Sequence, residues 1–209
     1  MPKRHQERAE ETRQAILQAA SRLFGQRGYE AVTMREIARE AGCSHTAIYL
    51  YFKDKEALLY HLAIGPLKEL EAELEATLRD GSLAPGARVA AMGRAFIRFG
   101  LTHRNSYQVL FIARAERVDE ETPDLPINAL RNHLFGMLRQ AVADFLPPGT
   151  PADVALAYTR VVFFHLHGIV ETYREGEGDL PALTDRLGAT FELSLDVLLS
   201  GIEQTARRA

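Results

Sequence analysis

The chain has 209 residues, which suits one large domain or a small domain joined to a medium one. With 46% hydrophobic and 25% charged residues it is built to fold around a core, and a net charge of −3 excludes a uniformly basic nucleic-acid coat. The single cysteine, Cys43, excludes an internal disulfide and fits a reducing cytoplasm; no run of about eighteen uncharged apolar residues announces a membrane span, so a cytoplasmic protein is expected. The charge is unevenly spread. Residues 1–60 hold ten Lys/Arg against eight Asp/Glu, and the rest hold fifteen against twenty, giving a mildly basic head on an acidic body.

Taken in order, the elements are helices, with no convincing period-2 segment. Residues 9–27 place Ile16, Ala19, Ala20, Leu23 and Phe24 on one face before Gly28 stops the helix. The stretch before it, Lys3-Arg4-His5, is either a frayed terminus or an arm for a minor groove. Thr33 followed three positions later by Glu36 forms a capping box for a short helix from Met34 to Ala41, ended by Gly42. Ser44 caps a third helix, His45 to Phe52, and Asp54 caps a fourth from Lys55. Gly65-Pro66 predicts a kink or break in this fourth helix. Breakers at residues 81–86 close it, and helices over 87–103 and 105–114 precede an acidic loop, Glu116 to Asp124. A helix over 126–146 ends at Pro147-Pro148-Gly149, another runs from Pro151 to about 174, and the last covers 181–206.

Two short helices joined at Ala41-Gly42-Cys43-Ser44 have the form of a helix-turn-helix. Ile37, Ala38 and Ala41 pack against Ile48 and Phe52, with Leu23 and Phe24 completing a small core. His45, Thr46 and Tyr49 are left facing outward, where the start of the third helix can enter a major groove. Cys43 reads as a small packing residue, because nothing cationic is placed to make its thiolate.

Thr12 to Leu59 resembles the DNA-binding domain of the TetR family of repressors. The likeness rests on Leu23-Phe24, Arg27-Gly28-Tyr29, Thr33, Ile37-Ala38, Ala41-Gly42, Ser44, Ile48-Tyr49, Phe52 and Lys55-Glu56-Ala57-Leu58-Leu59 at the family's spacing. Leu50-Tyr51 departs from the tyrosine or histidine pair common after Tyr49, and Cys43 replaces a small apolar residue. The resemblance implies phosphate contacts from Thr33, Tyr49 and Lys55, and base reading or close backbone approach by Ser44, His45, Thr46 and Ala47. It implies an all-α fold: a three-helix DNA-binding domain over 1–53 and, over 54–209, a helical bundle for ligand binding and dimerisation. In such proteins the fourth helix links the ligand site to the head, so Gly65-Pro66 either moves as the protein leaves DNA or is a kink that only helps packing.

The body's large apolar residues either fill its core or line a pocket for a small apolar or amphipathic effector. Met92, Phe96, Phe99, Phe111, Met137 and Phe164 are the apolar candidates, with Tyr107 and His167 as polar ones. His103, Arg114, His133 and Tyr173 are further groups able to orient a ligand. His165 and His167 lie about 200° apart around a helix and cannot share an ion; His167 with Glu171 makes only two ligands. No metal or other cofactor is therefore expected. Val161, Phe164, Ile169 and Tyr173, with Leu187, Phe191, Leu195, Leu198 and Ile202, give the last two helices wide apolar faces suited to a homodimer's four-helix interface. A dimer is also what a palindromic double-stranded operator demands.

The function expected is therefore transcriptional repression relieved by a small molecule. A DNA-binding regulator without an effector is the alternative. A helical enzyme is disfavoured by the lack of a glycine-rich phosphate loop, multi-ligand metal spacing or a nucleophile motif.

Overall fold

A computed structural model of the chain describes residues 2–111, 126–173 and 180–208. Among them are nine α-helices and no strand: α1 (Pro2–Arg27), α2 (Met34–Glu40), α3 (His45–Ile48), α4 (Lys55–Arg79), α5 (Pro85–Thr102), α6 (Arg104–Phe111), α7 (Pro126–Phe145), α8 (Ala152–Tyr173) and α9 (Leu180–Ala206). The acidic loop 116–124, Arg114 and the 175–179 turn lie outside the described residues. Among the described residues no helix is long and apolar enough to cross a membrane.

Two helices depart from expectation in extent. The first begins at Pro2 rather than near residue 9. Its opening turns carry no apolar stripe, but Lys, Arg, Gln and Glu are good helix formers and proline suits a first helical position. The third stops at Ile48 rather than Phe52. Leu50 N–H donates to Ala47 O and Tyr51 N–H to Ile48 O, both at 3.1 Å. These i→i−3 bonds tighten the chain out of the α-helix. The tightening seats Phe52 in the core and leaves Leu50 outside, 84% exposed.

Gly65-Pro66 does not break α4, which is helical without interruption from Lys55 to Arg79. A proline inside a helix removes one donor, and here the turns on both sides keep the element continuous.

The chain divides into two compact units, the first Met1–Leu67 with Asn105–Ala113, the second Lys68–Arg104 with Arg114–Ala209. The first unit thus runs past the head expected over 1–53. Its core is Ile16, Ala19, Ala20, Phe24, Val32, Ile37, Ala38, Ile48, Phe52, Leu58 and Leu59, with α1 on α2 and α2 on α3. In the second, α5 packs on α7, α8 and α9, and α7 on α8. Gly93 of α5 allows a close approach to two helices: a Cβ there would stand 3.2 Å from Leu166 of α8 and 3.2 Å from Leu195 of α9. Antiparallel α8 and α9 are joined by His165 Nε2 with Ser194 Oγ at 3.1 Å and by Tyr158 Oη donating to Thr205 Oγ1 at 3.2 Å. Burial holds the His165 pKa below the usual imidazole value.

Candidate nucleic-acid interface

The helix-turn-helix is fixed by its caps. Thr33 Oγ1 accepts from Glu36 N–H at 3.3 Å, and Glu36 Oε2 accepts from Thr33 N–H at 2.9 Å, so the expected capping box is formed. Arg27 of α1 donates to the other Glu36 oxygen at 2.8 Å. The Thr33 hydroxyl and then Arg27 hold the Glu36 carboxyl down at about 2. The end of α2 is closed by Gly42 at φ +73°, whose N–H donates to Arg39 O while Cys43 N–H donates to Ala38 O. This double closure needs a left-handed residue, which glycine adopts without penalty, and it aims the chain into α3. Cys43 is half-buried, and burial pushes its thiol pKa up, away from a reactive thiolate.

Ser44 Oγ accepts from Ala47 N–H at 3.1 Å and caps α3. Ile48 is wholly buried beneath it. Ser44, His45 and Thr46 are exposed, Ala47 is half-buried, and Tyr49 is 46% exposed with its ring edge-on to His45 at 5.3 Å. The exposed face thus offers two hydroxyls, an imidazole and a phenol, the groups that reach base edges and phosphate oxygens. Leu50, the departure from the family's tyrosine or histidine pair, stands out beside Tyr49 as an exposed apolar side chain. Thr33 is exposed at the start of α2.

Lys55 holds the loop before α2. Its Nζ donates to Tyr29 O at 2.9 Å and to Val32 O at 3.0 Å, and sits 4.1 Å above the Tyr29 ring. Two of the ammonium's three donors therefore hold the α1–α2 loop, because half-buried carbonyls and an aromatic face outcompete solvent for it. Sequence reasoning assigned Lys55 by position and had no signal for this.

The effector candidates fall in both units. Tyr107 and Phe111, with ring centroids 4.8 Å apart, belong to the first unit; Met92, Phe96, Phe99, Met137, Phe164 and His167 belong to the second. Met92, Phe99 and Met137 are core residues, each no more than 6% exposed. Half-buried Phe96 meets Phe163, which also faces Phe135 and stacks on His167 at 5.5 Å. Phe164 is 65% exposed on α8 in the single chain. Of the other polar groups, His103 lies against Phe99, Tyr173 against Phe191, and His133 beside two glutamates of α4.

Of the apolar faces expected on the last two helices, Val161 and Phe164 of α8 are exposed and Ile169 and Tyr173 half-buried. Leu195 and Ile202 are buried within their own chain and Leu187, Phe191 and Leu198 are half-buried, whereas Leu193 and Val197 face outward. Leu195 and Ile202 of the expected stripe thus face the core. A buried group that sequence reasoning missed altogether is Asn128 of α7, 1% exposed, whose amide nitrogen and oxygen both lack a hydrogen-bond partner among the described residues. An asparagine near a helix start is ordinary in sequence, so only burial marks it.

Residues 16–62 match the family described as bacterial regulatory proteins, tetR family; residues 89–198, more than half of the chain, match the tetracyclin repressor-like C-terminal domain. The chain is 42% identical over 79 residues to the HTH-type transcriptional regulator AcrR of Shigella flexneri, covering 36% of this chain and 37% of that protein. The match to AcrR thus spans little more than a third of its length. Against the HTH-type transcriptional repressor Rv1474c of Mycobacterium tuberculosis it is 26% identical over 214 residues, the whole of both chains. The fold is also that of the transcriptional regulator FadR from Bacillus subtilis, solved in complex with stearoyl-CoA, with a TM-score of 0.60 at 20% identity over 91% of this chain and 99% of that one.

Proposed function

Because the chain belongs to the tetR family of bacterial regulatory proteins and is a transcriptional regulator with an N-terminal DNA-binding domain, we propose that it represses transcription as a homodimer and leaves its palindromic operator when a small apolar or amphipathic effector binds its body. The observation that carries the DNA half is the capped, outward-facing start of α3, with Ser44, His45, Thr46 and Tyr49 held over a packed Ile48. In this reading Thr46 and His45 read bases, Ser44 and Ala47 lie close to the backbone, and Tyr49 and Thr33 contact phosphate. Lys55 acts chiefly through the loop that presents Thr33 and offers phosphate its remaining donor.

The effector half draws support from the body. Asn128 places a buried amide with no hydrogen-bond partner among the described residues in the body, a group suited to the polar end of an otherwise apolar ligand. FadR of Bacillus subtilis, similar in fold, was solved with an acyl-CoA. Release then follows by linkage: an effector favouring the DNA-incompetent dimer lowers operator affinity by the factor by which operator lowers effector affinity.

The test is binding of the purified protein to DNA from upstream of its own gene and to random DNA across a salt series, repeated with operator sites selected from a random pool. Tight, salt-steep, sequence-preferring binding is expected. Thr46→Ala should cost about 1–3 kcal/mol on the preferred site and relax specificity there, whereas Tyr49→Phe should weaken all sequences alike. A selection yielding no preferred site would sink the regulator reading. A preferred site whose affinity no acyl, aromatic or lipid-like compound alters would favour a regulator without an effector.

A further inference from the structure

The second half of α4 and the middle of α7 bring three metal-ligand side chains together. Glu71 and Glu75 lie one turn apart on α4, and His133 of α7 stands between them. Its Nε2 is 3.6 Å from Glu71 Oε1 and 3.5 Å from Glu75 Oε1, and the three ligand atoms lie within 4.8 Å of one another. Tetrahedral Zn2+ with bonds of ~2.0–2.1 Å separates its ligand atoms by about 3.3 Å, so the imidazole already stands a coordination edge from each carboxylate.

The outer oxygens are arranged independently. Lys68 Nζ donates to Glu71 Oε2 at 2.5 Å, and an Arg79 guanidinium nitrogen donates to Glu75 Oε2 at 3.0 Å. Each carboxylate is therefore steadied by a cation at its far oxygen while the near oxygen turns toward His133. That is the division of labour between an outer shell that orients and an inner shell that ligates. Glu71 is also well covered, its side chain 17% exposed.

We propose that Glu71, Glu75 and His133 bind one divalent transition-metal ion per chain, Zn2+ or a close chemical relative, with water completing the coordination. An imidazole beside two carboxylates favours such ions over Mg2+ or Ca2+, which take oxygen ligands. The ion fastens α4 to α7, and α4 is the helix whose first half, Lys55 to Leu67, belongs to the DNA-binding unit. Sequence gave no hint of the site, because His133 is remote from the two glutamates along the chain.

Co2+ titrated into the full-length, tag-free protein reads the site directly. One equivalent should bind with the intense visible bands of a four-coordinate ion and without the near-ultraviolet thiolate band that Cys43 would give. His133→Ala removes an exposed side chain and should weaken Co2+ binding by more than about 100-fold, beyond what loss of an outer-shell partner costs. His167→Ala should bind as the wild type does. Zn2+ should raise the melting temperature of the wild type and leave that of His133→Ala unchanged. No saturable binding, a thiolate band, or equal affinity in His133→Ala would each overturn the assignment.

Discussion

At the scale of single residues, Glu36 and Asn128 carry opposite kinds of consequence. Glu36 ties the start of α2 to itself and to α1, and its carboxyl is held down at about 2 from 4.5. A depressed acid contributes stability that is present above its unfolded pKa and lost as pH falls through the folded one. Its share should therefore fade between about 4.5 and about 2. Glu36→Gln keeps the cap and does not titrate, so its melting temperature should converge on that of the wild type as pH falls through this window. Parallel curves would show that Glu36 contributes nothing to the acid limb. Asn128 runs the other way. Neither amide atom is partnered among the described residues, which costs about 1–3 kcal/mol, and leucine has nearly its shape. Asn128→Leu should raise the melting temperature by about 2–4 °C per kcal/mol recovered. A fall on calorimetry would mean that the amide is satisfied in solution and is no marker of a ligand. Residues of this sort were legible only in part: Thr33, Glu36 and Ser44 announce their caps by spacing, because capping is local chemistry, whereas the burial of Asn128 and the tether of Lys55 depend on segments brought together by folding.

Among the elements, α4 shows where local rules stop. Gly65-Pro66 reads as a kink or a break, since each residue alone disfavours a helix; the element is not broken but continues through it. An interior proline costs roughly 3 kcal/mol against alanine, which buried Leu58, Leu59, Ala63, Leu67, Leu70 and Leu74 on the same helix offset. Pro66→Ala should therefore stabilise the protein by about 1–3 kcal/mol. If release from operator proceeds through this helix, the same variant should need more effector to let go; unchanged release in a stabilised variant would deny the proline a regulatory part. The order and approximate limits of the longer helices were legible from breakers and apolar period. The opening turns of α1 and the early end of α3 were not: the first lacks any apolar stripe, and the second is ended by the packing of Phe52 rather than by a breaker. Which stripe of α9 faces inward was not legible for a related reason, since two apolar stripes on one helix look alike until a neighbour covers one.

For the whole molecule, the exposed large apolar side chains in the body, Val161 and Phe164 on α8 with Leu193 and Val197 on α9, lie on two helices already joined side by side. They suit the proposed dimer, and because they are exposed in the single chain their removal should not unfold it. Val197→Glu combined with Phe164→Glu should give a folded monomer by light scattering at concentrations where the wild type is dimeric, with operator affinity lost in step. A double variant that stays dimeric would move the interface elsewhere. The division of the chain has a bearing on its birth as well. The first compact unit takes in residues 105–113, and Tyr107 and Leu110 within that stretch are completely buried. During synthesis the first unit is therefore incomplete while α5 leaves the ribosome, and a nascent chain stalled before α6 lacks the two buried side chains of Tyr107 and Leu110. Such a chain offers chaperones and proteases their opening before it has any chance to meet DNA.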